Sequence, residues 1–305
     1  MSQYHTPVLL DESVSALITH PQGTYADATF GGGGHTAAIL SRLQTCGKVI
    51  AFDRDMDAIE ASPIKDSRLT LIHNNFRFIE NYAALHGVQF DGILADLGVS
   101  SHQFDTPGRG FSFRFDAPLD MRMNTAASRT AADLLNEETP ERLEQILRLY
   151  GEVDGASKMA RLIAESRAKE PIRTSGQLDE AIARMLPKGA EHKILAKVYQ
   201  ALRIEVNQEM RSLEKFLDGS VRCLKPGGRL VVITYHSLED RMVKNFIKCG
   251  NVAGEEVKDS FGRVLSPLEP VGRKPILPTE EEIAANTRAR SAKLRVAVKK
   301  EDAAL

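Results

Sequence analysis

The 305-residue sequence predicts an α/β fold with a mostly parallel β-sheet, interrupted by an inserted all-helical segment. Short apolar runs alternate with helical patterns over residues 24–96, whereas residues 126–199 show helical patterns only. Strands that alternate with helices at this spacing form βαβ units, which have right-handed crossovers and a parallel sheet. The alternation resumes near residue 207, so the two α/β stretches are expected to belong to one sheet.

Four strands are predicted in the first third of the chain. The strand-like runs lie at 24–27, 48–52, 69–73 and 92–95, with helical patterns at 35–43, 55–61 and 76–85. Parallel strands end at the same edge of a sheet, and open α/β sheets bind ligands outside these carboxyl ends. Residues that follow the strands are therefore candidates for a binding site.

The middle of the chain is predicted to be a helical insertion. Thr139 and Pro140 form an N-cap followed by proline at the first helical position, and residues 141–150 carry apolar side chains at helical spacing. Further elements are predicted as helices at 207–224 and 238–249, a strand at 229–235, a loop at 251–278 and an edge strand at 291–298. We predict a discontinuous domain of residues 1–108 and 204–305 that is interrupted by a helical substrate-recognition domain of residues 109–203.

Composition excludes several classes of protein. No apolar run approaches the roughly 20 residues that span a bilayer, and residues 1–5 lack the basic, apolar start of a signal peptide. Cys46, Cys223 and Cys249 are far apart, so neither a disulfide framework nor a cysteine zinc site is expected. No other metal-ligand cluster is evident. The sequence therefore predicts a cytoplasmic protein without a membrane segment or a bound metal.

Charge gives only a weak indication of a nucleic-acid partner. The net charge is −1 and the isoelectric point is about 6.7, so the chain as a whole is not basic. The C-terminal segment is locally basic, with no acid before Glu301 among Arg288, Arg290, Lys293, Arg295, Lys299 and Lys300. A run of this kind is usually a solvated face, and nucleic-acid contact is the less common interpretation.

A glycine-rich loop, Gly31–Gly34, lies between the first predicted strand and the following helix. Glycines allow a sharp turn and a close approach of a ligand to the backbone, and the helix start offers free N–H groups. The pattern Gly32-x-Gly34-x-x-Ala37, with Asp53 about twenty residues later, also satisfies the dinucleotide fingerprint. An NAD-dependent oxidoreductase and a merely structural turn are both open at this point.

Two acidic residues favour a different cofactor. Asp53 ends the second strand, where a carboxylate can accept hydrogen bonds from both hydroxyls of a ribose, although such a residue is often only a turn residue or an N-cap. Asp27 directly precedes the glycine loop, and an acid there suits the cationic amino end of a methionine group and repels a pyrophosphate. The pair favours S-adenosylmethionine over NAD.

Further segments resemble the bacterial small-subunit ribosomal RNA cytosine-N4 methyltransferase family over nearly the whole chain. The matching stretches run in this order and spacing: His5-Thr6-Pro7-Val8-Leu9-Leu10, Asp27 to His35, Ala51-Phe52-Asp53-Arg54-Asp55, Asp96-Leu97-Gly98-Val99-Ser100-Ser101, Arg109-Gly110-Phe111-Ser112-Phe113-Arg114, Pro118-Leu119-Asp120-Met121-Arg122-Met123, Ala201-Leu202-Arg203-Ile204-x-Val206-Asn207, His236-Ser237-Leu238-Glu239-Asp240-Arg241 and Asn286-x-Arg288-Ala289-Arg290-Ser291. The glycine loop alone is weakly specific, whereas this ordered set is highly specific.

The resemblance implies a Rossmann-like methyltransferase domain interrupted by a small helical domain. It implies methyl transfer from S-adenosylmethionine to the exocyclic N4 amine of a cytidine in 16S-type small-subunit ribosomal RNA. The implied contacts on the cofactor are Gly33, Gly34 and His35 at the methionine end, Asp53 at the ribose and Phe76 at the adenine, with Asp96 and Gln103 completing the site. Phe76 could equally be a core residue.

Three residues are candidates for handling the target amine: Asp96, Asp120 and His236. Many amino-methyltransferases have a Pro-Pro-Tyr or Pro-Pro-Phe ending after the fourth strand, and this chain has Asp96-Leu97-Gly98-Val99 instead. We hypothesise that Asp96 or Asp120 accepts a hydrogen bond from the amine and that His236 orients or deprotonates it. In the structural alternatives, Asp120 pairs with Arg122 or Arg114, and His236 only precedes a helix capped by Ser237 and Asp240.

The segment 109–115 interleaves arginines with Phe111, Phe113 and Phe115. Such residues can hold phosphates and stack on bases, but at least two of the three rings are expected to pack in the core. A structured cytidine must be unstacked before it reacts, so the insertion and the basic C-terminal segment are predicted to clamp the RNA. The substrate is expected within the small ribosomal subunit, a homodimer is left open, and a non-catalytic RNA- or DNA-binding factor with this fold is a further alternative.

Overall fold

The computed structural model describes residues 7–301 and divides into two compact units. The first unit, which we call the sheet unit, comprises the chain up to Gly98 and from Met210 onward, and the second, the helical unit, comprises residues 99–209. Residues His5 and Thr6 of the first family-like stretch lie outside the described part of the chain. No helix in residues 7–301 combines the length and the apolar character that a membrane crossing requires.

The sheet unit contains one sheet of seven strands within the described residues, in the order β3-β2-β1-β4-β5-β7-β6. The strands are β1 (Thr24–Asp27), β2 (Lys48–Asp53), β3 (Leu69–His73), β4 (Phe90–Asp96), β5 (Leu224–Thr234), β6 (Leu268–Pro270) and β7 (Lys293–Lys299). β1 to β5 pair in parallel, whereas β7 is antiparallel to both β5 and β6. The predicted α/β fold with a mostly parallel sheet is confirmed.

Helices occupy both units. The chain order is α1 (Leu10–Leu17), α2 (Gly34–Arg42), α3 (Met56–Glu60), α4 (Ile79–Leu85), α5 (Ser101–Asp105), α6 (Ala131–Glu137), α7 (Pro140–Gly151), α8 (Ala156–Arg167), α9 (Ser175–Ile182), α10 (Glu191–Asn207), α11 (Glu209–Cys223), α12 (Ser237–Cys249) and α13 (Glu280–Ala285). Short 3-10 turns lie at Phe76–Phe78, Pro107–Arg109, Ala183–Met185 and Thr287–Ser291.

The central strands are apolar on both faces because both faces of the sheet are covered. Ala26 and Ile93 belong to one buried cluster, and their neighbours Tyr25 and Leu94 belong to another on the opposite face. A parallel sheet buried in this way gives continuous apolar runs rather than alternation, which is why the strands could be predicted from short hydrophobic stretches.

The C-terminal part of the sheet differs from the prediction. The last strand is not at the edge, because the three-residue β6 pairs with β7 on its outer side. β6 lies within residues 251–278, predicted as loop, and a three-residue strand ending in Pro270 carries too little pattern to be recognised. β5 begins at Leu224 rather than 229, with a register shift opposite Phe90 and Gly92.

The helical unit has its own hydrophobic core, and residues 99–209 contain helices but no strand, only an isolated bridge between Pro118 and Thr174. Its boundaries differ from the predicted 109–203. Val99 and Phe104 at one end and Val206 at the other pack against the helical core, so the unit is longer at both ends. The role of this unit in substrate recognition stays a prediction.

Truncating a core residue of the sheet unit is expected to destabilise it strongly. Phe90 is fully buried at the start of β4, whereas Phe261 is 79% exposed. Phe90→Ala should lower the free energy of unfolding by about 3–5 kcal/mol, because it removes a buried ring and leaves a cavity. Chemical denaturation monitored by circular dichroism measures the change. Phe261→Ala is the control, and equal effects of the two variants would contradict the assigned core.

Candidate active site

Three neighbouring parallel strands each end in an aspartate. Asp27 is the last residue of β1, Asp53 of β2 and Asp96 of β4. β1 lies between the other two strands and pairs in parallel with both, so the three carboxylates meet at the carboxyl edge of the sheet. We call this cluster the acidic edge, and it is where ligands of open α/β sheets bind.

The glycine loop connects this edge to α2. Gly31 and Gly33 have φ angles of +52° and +78°, which favour glycine. A Cβ on Gly33 would contact Phe30 and Ile64 at 2.9 Å, and one on Gly34 would overlap Pro7, so these positions are closed by packing. A Cβ on Gly31 would meet nothing closer than 4.0 Å. The loop is thus packed on one side and leaves space for a ligand at Gly31.

Asp27 holds the start of α2 rather than facing outward. Its side chain is fully buried, accepting a 2.6 Å hydrogen bond from the Thr36 hydroxyl and a 3.1 Å bond from the Thr29 backbone N–H. Burial raises the pKa of Asp27 above its usual value, and nearby His35 and these hydrogen bonds oppose that shift. Asp27 can act on a ligand only through its charge, because no surface is left for direct contact.

Asp53 fixes the glycine loop. One carboxylate oxygen accepts from the Gly31 N–H at 2.8 Å and the other accepts from the Asp55 N–H at 2.8 Å. Burial raises the pKa of Asp53, and the two backbone bonds oppose the rise. Each carboxylate oxygen offers more than one lone pair. Asp53 can therefore hold the loop and still accept hydrogen bonds from a pair of ligand hydroxyls.

Asp96 is a partly exposed carboxylate of the acidic edge. Its side chain is 23% exposed, Oδ1 accepts from the Tyr235 hydroxyl at 2.7 Å, and Oδ2 lies 3.8 Å from His35 Nδ1. Burial raises the pKa of Asp96 to about 6, although His35 and the Tyr235 hydrogen bond lower it, and the charges of Asp27 and Glu239 add to the rise. A carboxylate with this pKa is ionised at neutral pH and can accept a proton from a reacting group.

His35 has an unsatisfied buried nitrogen. It is the second residue of α2, and its side chain is only 6% exposed. Nδ1 faces Asp96, while Nε2 makes no hydrogen bond within residues 7–301. A buried imidazole nitrogen without a hydrogen bond is costly, so His35 is suited to contact a polar group of a ligand.

His236 lies two residues after β5 and is the N-cap of α12. Its Nδ1 accepts from the Glu239 N–H at 3.5 Å, and Glu239 accepts from the His236 N–H at 3.4 Å. The predicted cap at Ser237 and Asp240 is therefore wrong by one residue, because imidazole Nδ1 replaces a hydroxyl as the acceptor. Asp240 instead forms ion pairs with Arg295 and Lys293.

Phe76 lies in the 3-10 turn that precedes α4 and is partly buried. Its ring packs edge-on against Phe216, with ring centroids 5.1 Å apart. Phe76 therefore packs in the core. Its place beside the adenine of a cofactor stays a prediction.

Gln103 and Asp120 belong to the helical unit. Gln103 is buried in α5 and forms a capping box with Ser100. Arg122 donates two side-chain hydrogen bonds to Asp120, of 2.9 and 2.6 Å. Although burial opposes the shift, these bonds lower the pKa of Asp120 below its usual value. Asp120 thus makes the ion pair that the sequence offered as its structural alternative.

The aromatic segment 109–115 of the helical unit is irregular, with a turn at residues 113–114. Phe111 is buried, Phe113 packs against Tyr199 with centroids 5.3 Å apart, and Phe115 is 60% exposed. Two of the three rings therefore pack in the core, as expected. Arg109 is also buried and donates to the backbone carbonyls of Arg122 and Met123. Its guanidinium therefore stabilises the fold of the chain and does not bind a phosphate.

Two residues of the site, Tyr235 and Glu239, were not predicted from the sequence. Tyr235 directly follows β5, and its ring also lies 3.3 Å from the position of a Cβ on Gly98, where φ is +108°. Glu239 is buried and accepts from the Tyr235 N–H at 2.9 Å. Tyr235 could have been found, because the residue after a parallel strand lies at the same edge as Asp96. Glu239 could not, since its role depends on the N-cap at His236.

The geometry favours a ligand with positive charge and a pair of hydroxyl groups. The acidic edge would repel the pyrophosphate of a dinucleotide. It offers a cation the carboxylates of Asp27 and Asp96, a loop with space beside Gly31, and further lone pairs on Asp53. S-adenosylmethionine has these features: a sulfonium and an ammonium group, and a ribose with two hydroxyls. The residues present therefore fit this cofactor.

Comparisons of the sequence with known proteins agree with this chemistry. The model of the MraW methylase family matches residues 2–300. A protein of Bacteroides thetaiotaomicron named ribosomal RNA small subunit methyltransferase H is 54% identical over 298 residues, which cover 97% of this chain and 98% of that protein. A protein of the same name from Parabacteroides distasonis is 52% identical over 300 residues and covers 98% of both chains. A solved rRNA methylase from Streptococcus thermophilus has a TM-score of 0.39 and 12% identity, covering 95% of this chain and 93% of that one.

Removing the Tyr235 hydroxyl should raise the pKa of Asp96 further above 6. The phenol stabilises the ionised carboxylate through a 2.7 Å hydrogen bond, which Tyr235→Phe deletes with little change in shape. Carboxyl-carbon NMR titration measures the midpoint. Tyr82→Phe is the control, because that hydroxyl contacts Asn74 and not Asp96. An unchanged or lower midpoint in Tyr235→Phe would show that the hydrogen bond does not stabilise the ionised form.

Proposed function

The chain belongs to the MraW methylase family, and on that premise we propose that it methylates the exocyclic N4 amine of a cytidine in small-subunit ribosomal RNA. The enzyme depends on S-adenosylmethionine, and this cofactor donates the methyl group. The observation that carries the proposal is the acidic edge, where Asp96 combines a pKa of about 6 with partial exposure. An NAD-dependent oxidoreductase would place an anionic pyrophosphate at the same carboxylates.

We assign the cofactor site to the glycine loop and the strand ends. Gly33, Gly34 and His35 would hold the methionine end, with the His35 Nε2 supplying a buried polar contact. Asp53 would accept from the ribose hydroxyls through lone pairs that Gly31 and Asp55 leave free. Phe76 at the adenine and Gln103 as a further contact follow from the family resemblance alone.

We assign Asp96 as the acceptor for the target amine. The amine nitrogen forms a bond to the methyl carbon, the bond between that carbon and sulfur breaks, and one N–H proton must leave. The cytosine amine is a weak nucleophile because its lone pair is delocalised into the ring. A carboxylate that accepts from this N–H makes the nitrogen more nucleophilic and can receive the proton.

Asp120 and His236 are weaker candidates for this chemistry. Both oxygens of Asp120 are engaged by Arg122, which favours a structural role. His236 Nδ1 caps α12, and its Nε2 lies 3.1 Å from Glu239 Oε1. We propose that His236 is a positioning residue, which orients the Tyr235–Asp96 pair through the Glu239 capping box.

The helical unit, which the chain enters shortly after β4, is proposed to recognise RNA together with the basic C-terminal segment. Within this proposal the substrate is the RNA of the small ribosomal subunit, and the protein acts in the cytoplasm. A homodimer stays a prediction. A non-catalytic binding factor is disfavoured, since the glycine loop, Asp53 and Asp96, which would hold the methyl donor, are all present.

Cofactor affinity should fall in acid. Asp96 must be ionised to attract the cationic cofactor, so binding weakens as the pH falls through its pKa of about 6. Between pH 7.5 and pH 5 the Kd for S-adenosylmethionine should rise about tenfold, because one pH unit below the pKa leaves about a tenth of the carboxyl ionised. Isothermal titration calorimetry measures the Kd.

Two variants give this prediction its controls. Asp96→Asn should bind more weakly at pH 7.5 and should lose most of the pH dependence. Asp218→Asn, at an exposed position of α11, should behave as the wild type. A wild-type Kd that does not change between the two pH values would remove Asp96 from the cofactor site.

Ribosomal RNA from cells that lack the gene should lose one N4-methylated cytidine. Nucleoside mass spectrometry of digested small-subunit RNA measures the modification in the deletion strain and in complemented strains. Wild-type enzyme should restore it, Asp96→Asn should restore less than about 1% of it, and Asp218→Asn should restore it fully. A nucleoside profile that does not differ between parent and deletion strains would overturn the proposed function.

A further inference from the structure

A cavity of about 370 Å³ lies in the sheet unit beside the acidic edge. Its lining residues are Tyr235, His236, Ser237, Ser291 and Lys293. Tyr235 directly follows β5, and the other four come from two family-like segments that the cofactor site does not use, at 236–241 and 286–291, and from the start of β7. The volume is within the range of small-molecule sites, which starts near 300 Å³.

The antiparallel pairing of β7 with β5 creates this cavity. Thr234 at the end of β5 is opposite Lys293 at the start of β7. The chain that leaves β5 and the chain that enters β7 therefore lie side by side at the carboxyl edge of the sheet. Parallel strands could not bring these two segments together, because the start of a parallel neighbour lies at the opposite edge.

The lining includes one lysine, Lys293, which belongs to a cluster of two cations and one carboxylate. Lys293 and Arg295 share the single carboxylate of Asp240, which Arg295 contacts through two nitrogens at 2.7 and 3.2 Å. Lys293 lies 3.2 Å from the same carboxylate and keeps 42% of its side chain exposed. One anion cannot neutralise two cations, so Lys293 is left with charge for a ligand.

Two serines and a helix start add to the lining. Ser237 and Ser291 are exposed and have hydroxyl groups, and Ser237 is the first residue of the thirteen-residue α12, whose N-terminus adds positive potential. The His236 side chain is 9% exposed, and its Nε2 lies 3.1 Å from Glu239 Oε1, so His236 forms a wall of the cavity rather than a donor to an anion.

We infer that this cavity binds a phosphodiester group of the RNA, next to the nucleotide whose base is at Asp96. The inference rests on the proposed function for the position of that base. Tyr235 lines the cavity and donates its hydroxyl to Asp96 at 2.7 Å, so one side chain joins the two places. A nucleotide has a neutral base with an amine at one end and an anionic phosphate at the other, which matches an acceptor at Asp96 and a cation at Lys293.

Salt dependence of RNA binding tests this site without relying on turnover. Each phosphate contact contributes about 0.7 to the slope of log affinity against log salt for a single strand. Lys293→Gln should reduce the slope by about that amount and weaken binding threefold to tenfold. The loss should be equal for fluorescein-labelled oligocytidine and oligouridine, measured by fluorescence anisotropy, because both have the same backbone.

Lys48→Gln is the matched control. Lys48 begins β2 at the opposite edge of the sheet, and its substitution removes the same charge. Ser237→Ala combined with Ser291→Ala should weaken binding and leave the slope unchanged. Calorimetric binding of S-adenosylmethionine to each variant verifies that the sheet unit is folded.

The outcomes separate this inference from the proposed function. A slope unchanged by Lys293→Gln, or reduced equally by Lys48→Gln, would overturn the phosphate site, as would a wild type whose RNA binding does not depend on salt. A loss confined to oligocytidine would also overturn it, in favour of a base contact. A reduced slope together with unmodified ribosomal RNA in living cells would support the phosphate site and refute the methylation.

Discussion

Burial of three carboxylates at one edge of a parallel sheet is the constraint on which the site depends. Taking a carboxylate out of water is costly unless donors replace its hydration. Thr29 and Thr36 donate to Asp27, Gly31 and Asp55 donate to Asp53, and Tyr235 donates to Asp96. These donors come from the glycine loop, from the first turn of α2, and from the segments after β2 and β5. Satisfying the carboxylates therefore also fixes the loops that surround the ligand.

The hydrogen-bond donors only partly compensate for the desolvation of the three carboxylates, and this incomplete compensation is useful for function. All three carboxyls keep a raised pKa, because desolvation outweighs their hydrogen bonds. A cation brought to this edge reduces the cost of ionising them, which links cofactor binding to the charge state of the site. Asp96 differs from Asp27 in being partly exposed. The same electrostatic field can thus attract a cofactor and leave one carboxylate available to a second substrate.

Antiparallel β7 brings groups of a different chemistry to the same edge of the sheet. β1, β2 and β4 contribute acids, whereas the junction of β5 and β7 contributes a lysine, two serines and a helix start. The basic C-terminal segment is not a uniform solvated face, since Lys299 is buried and both Arg295 and Lys293 pair with the single carboxylate of Asp240. The acidic site suits a cationic cofactor, and the basic site next to it suits an anionic polymer.

The sequence by itself determined the α/β class, the extent of most strands and the acidic residues at their ends, because buried parallel strands leave apolar runs that any local window detects. It also indicated the cofactor, since Asp27, the glycine loop and Asp53 lie close together along the chain. Only the tertiary structure decided the place of β7, the pairing of Asp120 with Arg122, the N-cap at His236 and the roles of Tyr235 and Glu239. Tyr235 and Asp96 are 139 positions apart, and contacts of that kind depend on strand order and on competition among side-chain partners, which leave no local pattern in a single sequence.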